Sequence, residues 1–305
     1  MIFLNELDEN WIVDRFRREW YEFNGHYSTT NIKEADIIWI IAPWTWKKIP
    51  KHLLKSKKVI CTVHHIDESK FKGKSKKIFF KRDKYVDEYH VISNKTYEQL
   101  RSLTNKKINT IPFWINQNIW FEINDKNKIF EELNLKRNKF YIGSFQRDTE
   151  GKDLISPKLS KGPDKFLELV EIYHSKNKDV EVILTGKRRQ FVMNGLKDRG
   201  IKFTYFEMAS FDMINKLYNI LDLYIVSSRF EGGPQSIMEC AITKTPLIST
   251  NVGIASQILA TKSIFSFSTM GEAVPDTAYA FQNIDKYIIP NGFKEFDKMF
   301  EQNES

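Results

Sequence analysis

Short apolar runs alternate with longer segments whose apolar positions recur at helical spacing. The runs are rich in Val and Ile and favour buried strands, and the segments between them favour amphipathic helices. The predicted strands are 1–4, 37–41, 58–63, 88–92 and 108–112, followed by 140–145, 180–185, 202–205, 223–226 and 246–249. The predicted helices include 9–23, 49–54, 95–103, 164–175, 191–199, 211–219, 234–242 and 255–260. This alternation predicts an α/β fold with parallel sheets.

A polar stretch at 118–138 separates the two series of strands and helices and is typical of a linker with a short helix. The chain has 305 residues, enough for two domains of about 150 residues each. We therefore expect an N-terminal domain at 1–120 and a C-terminal domain at 121–288. A tail rich in aromatic residues follows at 289–305.

The composition is that of an ordinary globular protein, with 41% hydrophobic and 28% charged residues. No apolar run approaches the roughly 20 residues of a membrane span, and acids stand where a secretory signal carries basic charge. Cys61 and Cys240 are far apart and in no metal-ligand spacing, which favours a reducing, cytoplasmic compartment.

The net charge of +8 favours anionic partners. Between Lys70 and Lys84, eight Lys or Arg residues face one acid, Asp83. Two interpretations stay open: a solvated loop and helix face, or an electrostatic contact with an anionic acceptor or with anionic lipid headgroups at the inner face of a membrane. Nucleic-acid binding ranks last because no recognisable binding motif accompanies the charge.

The most informative segment joins a predicted strand at 223–226 to a helix through Glu231, Gly232, Gly233 and Pro234. Proline suits the first helical position, and paired glycines let backbone amides approach a ligand closely. A helix N-terminus at the carboxyl end of a parallel strand is a ready anion site.

Two acids bracket this turn, Glu231 before the helix and Glu239 on its second turn. Eight positions at about 1.5 Å rise place their Cα atoms on the order of 12 Å apart. That separation is wide for the paired acids of a glycosidase and suits a ligand with a charged middle and a hydroxyl-rich group at each end. A nucleotide sugar has that form.

The sequence EGGPQSIME, from Glu231 to Glu239, resembles the E-x7-E motif of retaining GT-B glycosyltransferases, especially those of family 4. In that family the first acid contacts hydroxyls of the transferred sugar and the second binds the nucleotide ribose. The resemblance implies these roles for Glu231 and Glu239. It also implies that the amides around Gly232 and Gly233, beside Pro234, face the sugar and diphosphate.

Three further segments resemble the family in the same order: YIGSFQRD, SKGPDKF and ILTGKRR. They imply donor-binding positions at Gly143, Arg147, Lys161 and Gly186. Arg147 and Lys161 would neutralise the departing diphosphate, since fixed cations stabilise charge that develops as the glycosidic bond stretches. FWINQNIW, at 113–120, resembles a degraded form of the family's linker.

In the first domain, TVHHID resembles the segment that carries a catalytic histidine, and His64 is the matching position. His65 has no assigned role, and a structural histidine is the alternative for His64. The usual glycine-rich turn after the first strand is replaced by the residues at 5–10, NELDEN. Trp44 and Trp46 either stack on an acceptor sugar or pack in the domain.

By resemblance we expect two Rossmann-like domains whose parallel sheets face a cleft, with the tail from 289 packed back on the first domain. The implied activity is retaining transfer from a nucleotide-diphosphate sugar to a glycan or lipid-linked acceptor. No cofactor or metal is expected, because the histidines form no ligand cluster and no Asp-x-Asp motif occurs. A nucleotide-sugar epimerase, a sugar phosphorylase and an inactive nucleotide-sugar or glycan-binding protein remain alternatives. The sugar, base, acceptor and oligomeric state stay open.

Overall fold

A computed structural model of the chain describes residues 1–6 and 12–301. The chain divides into two compact units. The first unit is Met1–Trp114 together with the C-terminal segment that begins at Pro290, and the second unit is Ile115–Ile289. The second unit is therefore inserted within the sequence of the first.

The first unit is built on a five-stranded parallel sheet in the order β1-β2-β3-β4-β5. Its strands are β1 (Ile2–Leu4), β2 (Ile37–Ile40), β3 (Lys58–Val63), β4 (Glu88–Val91) and β5 (Lys107–Thr110). Its first four helices are α1 (Ile12–Asn24), α2 (Lys51–Ser56), α3 (Gly73–Asp83) and α4 (Asn94–Arg101). The central strands are buried on both faces, as parallel strands covered by helices require.

The second unit contains a six-stranded sheet of parallel pairs in the order β11-β10-β9-β6-β7-β8. Its strands are β6 (Phe140–Ser144), β7 (Val180–Thr185), β8 (Phe203–Phe206), β9 (Leu223–Val226), β10 (Leu247–Thr250) and β11 (Ile264–Phe265). Its helices are α5 (Lys126–Glu132), α6 (Pro163–Lys176), α7 (Gln190–Asp198), α8 (Phe211–Ile220), α9 (Gln235–Ile242), α10 (Ala255–Ile258) and α11 (Thr277–Ile284). Since β6 and β9 are neighbours, the loops that follow them begin side by side.

The last described helix, α12 (Lys294–Glu301), belongs to the first unit. Its buried face joins an aromatic cluster centred on Trp20, whose ring centroid lies 6.1 Å from that of Phe296 and 5.4 Å from that of Phe300. The Phe293 ring lies 4.6 Å from the Trp114 ring. Large aromatic side chains bury much apolar area each, so this cluster is a major part of the unit's core.

The predicted α/β architecture is confirmed by the two parallel sheets. Strands 180–185 and 223–226 have the predicted bounds. The predicted helix at 9–23 begins at Ile12 in the structure, and residues 9–11 lie outside the described residues. Much of the predicted turn at 5–10 lies outside them as well. The change of unit falls between Trp114 and Ile115, six residues before the predicted boundary.

Candidate functional site

A cation and a carboxylate meet where β6 and β9 end. The Lys161 ammonium donates a hydrogen bond to Glu231 Oε1, joining segments that are 70 residues apart. Ser228 Oγ donates to the same carboxylate oxygen at 3.1 Å. The side chains of Lys161 and Glu231 are 25% and 10% exposed, so the pair is partly shielded from water yet open on one side. The structure therefore brings together two of the residues predicted from sequence.

Gln146 was missed by the sequence analysis and connects the loop after β6 to this pair. Its Nε2 donates to the Lys161 carbonyl at 3.0 Å, and its Oε1 lies 3.4 Å from Ser228 Oγ. The glutamine thus joins the backbone of Lys161 to the hydroxyl that contacts Glu231. Its position beside Arg147 in the YIGSFQRD segment was the only signal in the sequence.

Gly162 fixes the position of Lys161. Its φ of +62° lies in the left-handed region that favours glycine. A Cβ at this position would lie 1.8 Å from the Ser227 carbonyl oxygen, so any side chain would clash with backbone. Ser227 Oγ donates to the Gly162 carbonyl at 2.8 Å. The turn before α6 therefore sits directly on the end of β9.

An Arg–Asp pair holds the same two segments together. The Arg229 guanidinium donates to both carboxylate oxygens of Asp164, at 2.8 and 2.6 Å. Burial raises the pKa of Asp164, but the hydrogen bond and charge of Arg229 outweigh it and hold that pKa below its usual value. The Arg229 backbone N–H also donates to the Ser160 carbonyl at 2.8 Å. Two-point contacts of this kind fix geometry as well as supply energy.

The glycine-rich turn after Glu231 lies against a third glycine. Gly253, with φ of +55°, lies so close that an added Cβ would be 2.7 Å from the Gly232 carbonyl oxygen. It would also be 2.8 Å from Gly233 Cα and from Pro234 Cδ. The segment after β10 thus supports the turn from behind. Conformational freedom at Gly253 is what allows this contact.

The expectation that Pro234 occupies the first helical position is wrong. Helix α9 begins at Gln235, and Pro234 precedes it with φ of −64° and ψ of 115°. That ψ value is extended, so the chain enters the helix one residue later than the proline signal predicts. The fixed φ of proline suits a residue just before a helix as well as one inside its first turn.

Glu239 is on the second turn of α9 and is 7% exposed. Tyr218, on α8, donates its hydroxyl to Glu239 Oε2 at 2.9 Å. Burial raises the pKa of Tyr218 well above its usual value, and the nearby Glu239 charge raises it further. The tyrosine therefore stays a hydrogen-bond donor at any physiological pH, and it holds the carboxylate in one orientation.

Arg147 is held by a contact other than the Lys161–Glu231 pair. Its Nε donates to the Thr149 carbonyl at 2.7 Å. Partial burial and the nearby Arg188 lower its pKa, but an arginine remains charged at neutral pH. Its predicted role in neutralising a diphosphate stays a prediction.

The other two predicted donor-binding glycines have different surroundings. Gly143 lies inside β6, where an added Cβ would be 2.2 Å from the Leu221 side chain, so close packing accounts for a glycine there. Gly186 follows β7 with φ of +89°, and its carbonyl accepts from the Tyr205 hydroxyl at 2.7 Å. Both remain predicted donor contacts.

A buried ion pair lies between these loops and was not identified from the sequence. Arg189 is fully buried, and its Nε donates to Asp148 Oδ2 at 2.9 Å. Arg189 also donates to the carbonyls of Ser144 and Thr185, where β6 and β7 end. Its position argues for a structural role in fixing the loop that carries Arg147.

His64 follows β3 in the first unit and is half-buried. Its Nε2 lies 2.8 Å from the Ile41 carbonyl oxygen, so Nε2 must carry the hydrogen and Nδ1 has the lone pair. Burial lowers the pKa of His64 to about 4, and the ring is therefore neutral at pH 7. A neutral imidazole with a lone pair on Nδ1 can accept a hydrogen bond from a hydroxyl. Its catalytic role stays a prediction.

Within residues 1–6 and 12–301, no group of His, Cys, Asp or Glu side chains is arranged to hold a metal ion. None of the helices in this part of the chain is both long and apolar enough to cross a membrane.

Comparisons with known proteins point to one family. Residues 155–283 match the family model described as "Glycosyl transferases group 1". This match covers β7, β9 and the whole segment from Lys161 to Glu239. A comparison with curated protein sequences finds no match.

Solved structures match nearly the whole chain. HepE from Anabaena, crystallised with UDP and glucose, matches with a TM-score of 0.73 at 11% identity, over 99% of each chain. Sucrose-phosphate synthase from Thermosynechococcus elongatus matches with a TM-score of 0.68 at 12% identity, over 98% of this chain and 80% of its own. A glycosyltransferase from Rickettsia africae matches with a TM-score of 0.65 at 18% identity, over 98% of this chain and 83% of its own. Residues 155–283 therefore match the glycosyl transferases group 1 family model, within a chain that has the two-sheet GT-B fold.

Proposed function

We propose that this protein is a retaining glycosyltransferase that moves a hexose from a nucleotide-diphosphate sugar to a hydroxyl of a glycan or lipid-linked acceptor. The family match and the fold support sugar transfer. The single observation that carries the finer proposal is the Lys161–Glu231 pair beside a glycine-rich turn and a helix N-terminus. This arrangement supplies a cation, a carboxylate and backbone amides at one place.

The donor would span the segment from Glu231 to Glu239. Glu231 would accept hydrogen bonds from hydroxyls of the sugar, the amides at Gly232 and Gly233 would contact the diphosphate, and Glu239 would accept from the ribose hydroxyls. The Tyr218 hydroxyl supports this assignment because it holds the Glu239 carboxylate in one orientation. HepE was crystallised with UDP-glucose, so uridine donors are the first to test.

In the proposed transfer, the protein's main task would be to stabilise the departing diphosphate. No side chain would need to act as a nucleophile. As the bond between the anomeric carbon and the diphosphate oxygen breaks, negative charge grows on the diphosphate. Lys161, Arg147 and the N-terminus of α9 would stabilise that charge. Glu231 would bind the sugar hydroxyls rather than act as a covalent nucleophile.

Retention of configuration follows if the acceptor hydroxyl attacks from the face that the diphosphate leaves. The new bond joins the acceptor oxygen to the anomeric carbon, and the acceptor proton passes to the departing diphosphate oxygen. The leaving group then serves as the base. His64, neutral at pH 7, would orient the acceptor hydroxyl through Nδ1.

The test combines donor screening with product analysis. Thermal-shift measurements with UDP, GDP, ADP, CMP and their sugars should identify one nucleotide that stabilises the protein. Incubation of that sugar nucleotide with candidate acceptors should give a product with the donor's anomeric configuration by NMR, with equal rates in EDTA. An inverted product would overturn the retaining mechanism. Sugar isomerised without any acceptor would indicate an epimerase. Binding of the sugar nucleotide with neither sugar transfer nor slow donor hydrolysis would indicate an inactive binding protein.

We also propose that α3 contacts an anionic membrane surface, where a lipid-linked acceptor would be found. Positions 73, 76, 77, 80, 81 and 84 share one face at helical spacing, and they line a shallow groove of about 510 Å³. This basic face has Phe80, 39% exposed, among four lysines: Lys76, Lys77, Lys81 and Lys84. Each lysine near an anionic surface contributes about 1 kcal/mol, and an exposed aromatic ring inserts at the headgroup level.

A further inference from the structure

Trp44 is an exposed tryptophan in the first unit. Its side chain is 52% exposed, whereas Trp46, two residues later, is 6% exposed and lies in the core. Packing therefore accounts for Trp46 and leaves Trp44 without a core role. The exposed indole offers a large flat apolar face with one polar N–H, a combination suited to binding a ligand.

The turn that carries Trp44 is fixed on both sides. The buried Asn5 donates through Nδ2 to the Ala42 carbonyl at 3.0 Å and to Thr45 Oγ1 at 2.7 Å. Asn5 Oδ1 accepts from the Ala42 N–H at 3.1 Å. On the far side, the Arg82 guanidinium donates to the Pro43 carbonyl at 3.1 Å. Four hydrogen bonds thus hold the backbone that presents one exposed indole.

A hydrogen-bond acceptor stands next to this indole. The Trp44 and His64 ring centroids are 5.8 Å apart, with the rings inclined at 47°. His64 uses Nε2 to donate to the Ile41 carbonyl, so its Nδ1 is the accepting nitrogen of a neutral ring. The Trp44 ring therefore lies beside an imidazole whose Nδ1 can accept a hydrogen bond.

These groups lie at the edge of the sheet that binds ligands in open α/β folds. Asn5, Trp44 and His64 follow the carboxyl ends of β1, β2 and β3, which are adjacent strands. A pyranose ring matches their chemistry, because it carries C–H groups on one face and hydroxyl donors around its edge. The aromatic face suits the C–H groups, and Nδ1 suits a hydroxyl.

We propose that Trp44 is the stacking platform for a pyranose ring of the acceptor, and that His64 Nδ1 accepts a hydrogen bond from a hydroxyl of that ring. This inference rests on the proposed function, since it names the acceptor side of the same reaction. It makes Trp44 a binding residue that recognises the acceptor.

The test labels the seven tryptophans with 5-fluorotryptophan and records fluorine NMR spectra. The resonance missing from Trp44→Phe assigns Trp44, and the resonance missing from Trp46→Phe assigns the buried control. Methyl glucopyranoside, methyl galactopyranoside and methyl mannopyranoside are then titrated separately, and so is UDP. At least one pyranoside should shift the Trp44 resonance saturably while the Trp46 resonance stays in place.

The variants give the second readout. Trp44→Ala should weaken binding of that pyranoside about tenfold, the scale of one aromatic contact, while Trp44→Phe should recover most of the affinity. Phe121→Ala, at an aromatic residue of similar exposure in the second unit, should not change it. A Trp44 resonance that no pyranoside moves, or equal affinity in Trp44→Ala, overturns the proposal. If the wild-type protein bound none of UDP, GDP, ADP and CMP, that result would instead contradict the proposed function, so the two failures are distinguishable.

Discussion

The Lys161 ammonium is paired with the Glu231 carboxylate, on the segment that follows β9. The two charges compensate each other in a site that is only partly open to water. In the proposed function, hydroxyls of the donor sugar would contact Glu231 and the diphosphate would contact Lys161. The pairing would then hold the cation close to its proposed position beside the diphosphate, which lowers the cost of organising the site.

Removing either partner should impair turnover of the donor. We expect Lys161→Met and Glu231→Gln each to lower kcat/KM for the donor by roughly 100-fold or more, because each removes a group that acts on developing charge or on the sugar. The double variant should lose much less than the product of the two effects, since the residues act as a unit. Release of nucleoside diphosphate measures this. Lys165→Met removes a lysine of similar exposure that pairs with Glu168 on α6 and should stay near wild-type activity; unchanged turnover in Lys161→Met would contradict the assignment.

Variants of Glu231 and Glu239 should affect binding of the nucleotide alone differently. Glu239→Gln should weaken UDP binding by about tenfold, because a charged acceptor to the ribose becomes neutral. Glu231→Gln should leave UDP binding within about twofold, since its proposed partner is the sugar, and should weaken binding of the UDP-sugar. Isothermal titration calorimetry distinguishes the four cases. Equal effects of both variants on UDP would rule out this division of roles.

Two glycines allow a matched test of close backbone contact. Gly162 and Gly200 have φ values of +62° and +64°, but only at Gly162 would a Cβ meet backbone, 1.8 Å from the Ser227 carbonyl oxygen. Gly200→Ala should lower the free energy of unfolding by about 1 kcal/mol, because alanine is strained in the left-handed conformation. Gly162→Ala should cost about 3 kcal/mol or more, because strain and overpacking add. Denaturant unfolding measures the difference, and similar losses would show that the turn moves freely away from β9.

Much of the second unit could be predicted from sequence, because its strands are continuous apolar runs and its glycine-rich turn has a local signature. Gln146 and Tyr218 could not be predicted, since they contact Lys161 and Glu239 across the fold rather than along the chain. The bounds of α3 are not predicted from the sequence, because its lysines give it little apolar periodicity. The left-handed conformation of Gly162, before α6, could not be predicted either, since the sequence does not show that the end of β9 packs against this residue.

The basic face of α3 should bind anionic vesicles. The fourfold variant Lys76→Ala, Lys77→Ala, Lys81→Ala and Lys84→Ala should lose most binding to phosphatidylglycerol vesicles, by about three orders of magnitude at about 1 kcal/mol per lysine. Cosedimentation at low salt measures this, with phosphatidylcholine vesicles as the uncharged comparison. Replacing Lys126, Lys128, Lys178 and Lys202 by Ala removes the same charge from exposed positions elsewhere and should leave binding intact. Equal losses in both variants would mean that net charge alone attracts the vesicles.

His90 should make stability depend on pH. It is fully buried, with Nδ1 beside Thr62 Oγ1 at 3.0 Å and Nε2 beside the Ile111 carbonyl at 2.7 Å. Burial lowers its pKa to about 3. The unfolded chain binds a proton near pH 6.5 and the folded chain does not, so this contribution is present above pH 6.5 and is lost as pH falls towards 3.

At pH 5 that loss should amount to about 2 kcal/mol for His90 alone. Urea unfolding should therefore show that the free energy of unfolding decreases less between pH 7.5 and pH 5 for His90→Gln than for the wild-type protein. Glutamine offers a donor and an acceptor but does not titrate in this range. His52, which is exposed on α2, provides the control variant His52→Gln, whose pH dependence should match that of the wild-type protein. An identical change in the free energy of unfolding between pH 7.5 and pH 5 for His90→Gln and wild type would contradict the buried neutral state of His90.

Because Trp20, Trp114, Phe293 and Phe296 share one cluster, the first unit needs both ends of the chain to complete its interior. During synthesis the second unit leaves the ribosome whole, whereas the first must wait until α12 has emerged. A fragment that stops before Pro290 would expose the aromatic rings that α12 covers. The connectivity of the chain thus sets an order of folding: the second unit can fold early, and the first unit, although its sequence begins earlier, is completed last.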